Sequence, residues 1–468
     1  MYDPSDSICA ISTPPGKGAI AVIRCSGTNA IQLTDKIIRL PEGKGKLSDQ
    51  PPNTLHYSTV YEGNQIIDKV IIGLFKEPHS YTGEDTVEIS CHGSPYIQKK
   101  ILELLIKAGA RMATAGEFTM RAFMNGKIDL TQVEAIADLI SSGSKAAHMV
   151  AMNQMRGNFN REIKKLRDKL IEFTSLIELE LDFSEEDVEF ANRHQLNELL
   201  SEIREVLEHL SESFVQGNVI KNGIPVAIVG RTNSGKSTLL NLLVSEEKAI
   251  VSEIEGTTRD SIEDVISIRG VHFRLIDTAG IRHTEDVIEK LGIERTWQKI
   301  DQAMIVLQVL DINSTPDEIL KLRKKLKKNN GDKHLIVLLN KIDLASKKQL
   351  ESQIETLKTY LFPGEQLIPV SAKNAINLTL LEEALLNASG FDLANENDVI
   401  ITNVRHFDAI EKALVAIKRA SDALKTNIPG DLLSQDIRAS LYFLGEITGE
   451  ITNDEILGNI FKNFCIGK

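Results

Sequence analysis

The chain has 468 residues, 42% hydrophobic and 26% charged, with a formal net charge of −12. That length suggests about three domains at roughly 150 residues each, in a globular protein with several cores. The acidic balance excludes a molecule that traps nucleic acid by bulk charge, so a nucleic-acid partner needs a local basic patch or a helper protein.

No run of about 18 apolar residues is present, so no membrane span is expected. The opening MYDPSDSICAISTPPG lacks a basic and an apolar signal region. Cys9, Cys25, Cys91 and Cys465 form no C-x-x-C pair. Neither a zinc site nor a disulfide framework is indicated, and reduced thiols in a cytoplasmic setting fit. The final FCIGK places Cys465 where a Cys-a-a-X lipid anchor would be. Gly467 is not aliphatic and Lys468 is not a usual last residue, so prenylation is not expected.

In chain order, residues 1–122 read as α+β. IAVIRCSG, KVIIGLFK and TVEISCHG have strand character, PPGKG and YTGED mark turns, and SPYIQKKILELLIKAGA is an amphipathic helix stopped by glycine. Over 123–221 the spacing turns helical, in LTQVEAIADLI, REIKKLRDKLIEFTSLIELELDF and HQLNELLSEIREVLEHLSESFVQ, which suits a helical bundle. Residues 222–390 alternate strand and helix. IPVAIVG, FRLIDTAG, AMIVLQVL and HLIVLLNK are continuous apolar runs, the mark of parallel strands buried on both faces. Over 391–468, ALVAIKRASDALK and LSQDIRASLYFLGEIT return to helical spacing. The expected fold is multidomain: an N-terminal α+β domain, an all-α bundle, and a P-loop α/β domain inserted into that bundle. KLRKKLKKNN, 321–330, reads as a solvated helix face, with an RNA contact as the alternative.

Five short motifs carry the chemistry. GRTNSGKS matches G-x-x-x-x-G-K-[ST] between a strand and a helix, the context a phosphate loop requires. It nominates Asn233, Ser234, Gly235, Lys236, Ser237 and Thr238, with Lys236 on the outer phosphates and Ser237 on Mg²⁺. SEIEGTT adds Ser252, Glu253, Ile254, Glu255, Gly256, Thr257 and Thr258, with Thr258 completing the Mg²⁺ shell. Asp277, Thr278, Ala279 and Gly280 form DTAG, where the carboxylate holds Mg²⁺ through water and Gly280 meets the γ-phosphate. In NKID, Asn340, Lys341 and Asp343 address the base, and Asp343 accepts from guanine groups that adenine lacks. Ser371 and Ala372 of SAK back the base. In this order and spacing the five resemble the translation-factor-like GTPases, which implies a Ras-like fold and GTP. Where a Ras-like protein has a water-orienting glutamine stands Ile281, so another group must act on the water. Asn233 is either a monovalent-cation ligand or a hydrogen-bonding loop residue.

STPPGKGAIAVIRCSG, YTGEDTVEISCHG, GEFTMRAFMNGKIDLTQVEAIADLI, SEIEGTTRD, DTAGIR and the terminal FCIGK together resemble the tRNA-modifying GTPase family MnmE (TrmE), end to end. The resemblance implies a homodimer that works with the flavoprotein MnmG on certain tRNAs. An aminomethyl or carboxymethylaminomethyl group is added to carbon five of the wobble uridine. The one-carbon unit comes from a tetrahydrofolate derivative in 5-formyl or methylene form. It implies folate binding by the N-terminal domain through Arg24, Glu88, Lys127 and Lys468. It favours K⁺ at Asn233, Ser252, Ile254 and Thr257, and it makes Glu289 the catalytic carboxylate that orients water. It also implies that FCIGK tucks against the folate domain and brings Cys465 to the one-carbon unit. The rival reading is a ribosome-assembly GTPase acting as an RNA-binding switch, which would put a basic module beside the GTPase motifs. A signalling switch would leave the 220 residues before them unexplained.

Overall fold

The computed structural model describes residues 6–182, 193–231, 233–247, 264–276, 302–321, 333–362, 364–390, 399–426, 430–452, 454–462, 464 and 466–468. The chain divides into two compact units. One comprises Met1–Ala137, Gln154–Arg204 and Lys412–Lys468; the other comprises Asp138–Asn153 and Glu205–Glu411.

Among the described residues the first unit holds a seven-stranded sheet. Its strands are β1 (Ile8–Ile11), β2 (Ile20–Ser26), β3 (Ile38–Arg39), β4 (Thr54–Glu62), β5 (Gln65–Phe75), β6 (Thr86–His92) and β7 (Arg111–Met112), in the order β3-β4-β5-β6-β2-β1-β7. The alternation in β6 puts Val87, Ile89 and Cys91 inward, and they join Ile23, Ile72, Ile101 and Leu105 in one core. Ile101 and Leu105 come from the helix Pro95–Ala108, which ends where Gly109 takes φ +122°. The helix Asn158–Asp182 buries Phe159, Ile163, Leu166, Leu170, Thr174 and Ile177, a stripe at steps of three and four. It packs against the helix Gly430–Thr448, with Arg438 Nε donating to Glu178 at 2.9 Å.

The least expected core residue is charged. Arg121, in the helix Glu117–Met124, is fully buried. Its guanidinium donates to Glu84 at 3.2 Å and to Glu117 at 3.3 Å, and it also pairs with Asp6. Arg111 Nη2 donates to the same Glu117 Oε1 at 2.6 Å, and the Thr114 N–H donates to Oε2 at 2.8 Å. Burial pushes the Glu117 carboxyl up, but the bonds from Arg111 and Thr114 outweigh it and hold the group at about 2. Its folded value is depressed, so its contribution is complete above the ordinary carboxylate range and is lost as pH falls toward 2.

The second unit holds a six-stranded sheet ordered β13-β12-β11-β8-β10-β9. The strands are β8 (Ile224–Val229), β9 (Asp264–Ile268), β10 (Val271–Leu275), β11 (Ile305–Asp311), β12 (His334–Asn340) and β13 (Gln366–Pro369). All pairings are parallel except β9 with β10. The apolar runs in β11 and β12 are buried along both faces, one feeding Leu307 and Leu338 into one core and the other feeding Val306 and Val337 into a second. The basic run at 321–330 lies outside the described residues except for Lys321.

The Arg121 network gives a testable expectation. Arg121→Met should destabilise the chain by about 3 kcal/mol or more, because it removes the buried cation shared by Glu117 and the partly buried Asp6 and Glu84. Urea unfolding of the full chain measures it; an unchanged midpoint would contradict a stabilising role for the network.

Candidate functional site

In the second unit the C-terminal ends of the parallel strands carry the motifs, where open α/β sheets place ligands. After β8 the chain turns through the phosphate loop into the helix Lys236–Glu247. Two glycines there are sterically required. A Cβ on Gly230 would lie 2.3 Å from the Val309 carbonyl oxygen, and one on Gly235 (φ +98°) would lie 2.1 Å from Asn340 Nδ2. Asn340 Nδ2 donates to the Ser234 carbonyl at 2.9 Å, while its Oδ1 accepts from the Ala372 N–H at 3.0 Å. One buried amide thus joins GRTNSGKS, NKID and SAK. Ser371 Oγ donates to Asp343 Oδ1 at 2.6 Å and fixes the carboxylate assigned to the base. Lys341 Nζ pairs with Asp311 Oδ2 at 2.7 Å.

The loop is built for an anion. Lys236 Nζ donates to the carbonyls of Gly230 and Arg231 at 2.9 and 2.7 Å. Burial pulls its ammonium below the usual lysine range, and a phosphate beside it would offset that penalty. Helix N-terminal N–H groups complete an anion cradle, with Ser237 and Thr238 in the first turn. Asn233 takes φ +63°, a region asparagine tolerates better than most residues, so loop geometry alone gives it a reason to be there. Ser252, Glu253, Ile254, Glu255, Gly256, Thr257, Thr258, Asp277, Thr278, Ala279, Gly280, Ile281 and Glu289 lie outside the described residues.

In the first unit Arg24 and Glu88 face each other across β2 and β6, with Arg24 Nε and Nη2 donating to Glu88 Oε1 at 2.9 and 2.7 Å. The guanidinium lies over the rings of Tyr81 and Phe118, at 5.1 and 5.5 Å from their centroids. Lys127 Nζ donates to the Pro78 carbonyl at 2.9 Å, and its side chain packs on Gly83, so it grips the loop that supplies Tyr81. The tail reaches the same sheet. Ile466 bridges to Ala115, Ser12 Oγ donates to the Gly467 carbonyl at 3.0 Å, and Phe461 and Phe464 pack on Gly116. Gly467 takes φ +101°, and a Cβ on it would lie 2.2 Å from the Ile11 carbonyl oxygen. Ile11 and Ala10 pair with Ile23 and Arg24, so Lys468 ends the chain one strand from Arg24. A cation, a carboxylate and an aromatic face suit a ligand with an acidic tail and a flat hydrogen-bonding ring. Cys465 lies outside the described residues; Cys9, Cys25 and Cys91 are buried free thiols. Burial pushes Cys9 and Cys91 up to about 11, which leaves them inert as nucleophiles.

Tyr81, Phe118 and Asp311 have no place in the motif reading. YTGED signals only a turn, Phe118 stands in a stretch quoted only for the family resemblance, and Asp311 closes an apolar strand.

Comparisons with known proteins agree along the whole chain. Residues 7–127 match the family described as GTP-binding protein TrmE N-terminus, and residues 130–465 match the MnmE helical domain. The tRNA modification GTPase MnmE of Bacteroides thetaiotaomicron is 54% identical over 463 residues, covering 99% of each chain. That of Flavobacterium psychrophilum is 52% identical over 466 residues, again covering 99% of each. Among solved structures, a single-residue variant of Aquifex aeolicus Era bound to GDP and AlF4⁻ is 28% identical and covers 41% of this chain and 65% of its own, with a TM-score of 0.28, too low to bear on the fold. The chain belongs to the tRNA modification GTPase MnmE family.

Proposed function

We propose that GTP hydrolysis by this chain drives modification of the wobble uridine of certain tRNAs. The chain works as a homodimer with the flavoprotein MnmG, and an aminomethyl or carboxymethylaminomethyl group is added at carbon five. The observation that carries this reading is the docked tail. Gly467 seats against Ile11, beside a sheet bearing the Arg24–Glu88 pair, in a chain that also holds a guanine-nucleotide cradle.

The residues divide the work. Lys236 and the loop N–H groups hold the phosphates. Asp343, fixed by Ser371, selects guanine. Glu289 orients the attacking water, since Ile281 cannot. Ser237 and Thr258 would hold Mg²⁺, and Asn233, Ser252, Ile254 and Thr257 would hold K⁺. These two cations supply positive charge where negative charge builds on the transferring phosphoryl group. Arg24 and Lys127 address the acidic tail of a tetrahydrofolate derivative, Glu88 its ring edge, and Lys468 and Cys465 the end that carries the one-carbon unit.

Three outcomes test this reading. Hydrolysis should slow about tenfold when Na⁺ replaces K⁺, a loss of ~1.4 kcal/mol in transition-state stabilisation. Equal steady-state rates in the two salts would remove the cation from the mechanism. Asp343→Asn should weaken GTP by on the order of 1–3 kcal/mol and shift preference to xanthosine triphosphate, because one donor–acceptor pairing is reversed. A competition assay with unaltered base preference would refute the assignment. Gly467→Ala should lift the tail and weaken 5-formyltetrahydrofolate in calorimetry, with GTP turnover unchanged. Wild-type folate affinity in that variant would detach the tail from the folate site.

A further inference from the structure

We propose that Asp311 is a positioning residue that holds Lys341 in place at the nucleotide and so sets how long the nucleotide stays bound. The inference rests on the assignment of NKID to the base.

The backbone supplies the first reason. Lys341 takes φ +65°, a left-handed conformation that costs a lysine free energy that glycine would not incur. A strained lysine implies that its side chain is what the position requires. It sits between Asn340, which ties the phosphate loop to SAK, and the short 3₁₀ turn Ile342–Leu344 that presents Asp343.

The second reason is how Asp311 is held. It ends β11 and stands opposite Asn340 in register, so both carboxylate and lysine lie at the ligand-bearing ends of adjacent parallel strands. Asp311 Oδ1 accepts from the Asn313 N–H at 3.0 Å, and the Asp311 N–H donates to Ser314 Oγ at 3.0 Å. The first bond holds the carboxylate and the second holds its turn, leaving Oδ2 for the ammonium at 2.7 Å. An ordinary surface pair joins two mobile chains and contributes little. Here one partner is already immobilised by its own turn, and the Lys341 and Asp311 side chains are only 31% and 28% exposed. Holding Lys341 through a pre-set carboxylate lowers the ordering cost that nucleotide binding would otherwise carry.

The test is a double-mutant cycle on the full chain, reading the dissociation rate of a fluorescent GDP by stopped flow. Asp311→Asn and Lys341→Met should each speed dissociation by about fivefold, the range of coupled neighbours, and the double variant should be no faster than Lys341→Met. In Asp311→Asn, base preference and the unfolding midpoint of nucleotide-free protein should stay at wild type, which a merely structural role would not leave intact. Asp311→Glu, which keeps the charge and moves the carboxylate, should fall between wild type and Asp311→Asn. Additive effects, or an unchanged rate in Asp311→Asn beside a fast Lys341→Met, would overturn the role of Asp311 alone. An unchanged rate in Lys341→Met would overturn the NKID reading with it.

Discussion

The nucleotide half of the molecule depends on one amide. Asn340 donates to the Ser234 carbonyl and accepts from the Ala372 N–H, so segments 106 and 32 positions away along the chain share a single buried side chain. Both of its polar ends are satisfied, which makes the contact rigid; losing either would leave a buried polar group unpaired. Gly235 is the counterpart constraint, because any side chain there would occupy the space of Asn340 Nδ2. The phosphate loop, the carboxylate assigned to the base and the SAK loop are thereby set as one object.

The other half has a comparable constraint at the chain's end. Gly467 fits against Ile11 only because it lacks a Cβ, and Gly116 accepts Phe461 and Phe464 for the same reason. The Arg121 network fixes the helix that carries Phe118. A buried charge is costly unless every partner is in place, so this network ties the helix to the segments before β1 and β6 that carry Asp6 and Glu84. That arrangement sets a cation, a carboxylate and an aromatic surface on rigid elements, which is what the proposed folate site would require.

Much of this was legible in the sequence. The apolar runs that became β8, β11 and β12 are buried on both faces, and buried parallel strands need no alternation. The phosphate loop could be read because its glycines answer a local steric demand. What stayed hidden depends on long-range placement. Arg121 looks like a surface helix residue until Glu84 and Asp6 are brought to it from 37 and 115 positions away. Asp311 looks like a strand end until Lys341 folds back on it. β4 alternates against hydropathy, with Leu55 and Tyr57 exposed while His56 and Ser58 are buried, so its sequence gives no strand signal of the usual sense. The docking of FCIGK came from resemblance, since no local pattern in five residues predicts a contact with Ile11.

The function proposed for this chain couples GTP hydrolysis to one-carbon transfer onto tRNA. The most direct measurement is nucleoside mass spectrometry of tRNA from cells fed serine labelled with ¹³C at its hydroxymethyl carbon, with and without this protein. Label should appear in the carbon-five substituent of the wobble uridine when the protein is present, and the substituent should be lost when it is absent. A labelled wobble-uridine substituent at wild-type abundance in cells lacking the protein would contradict it.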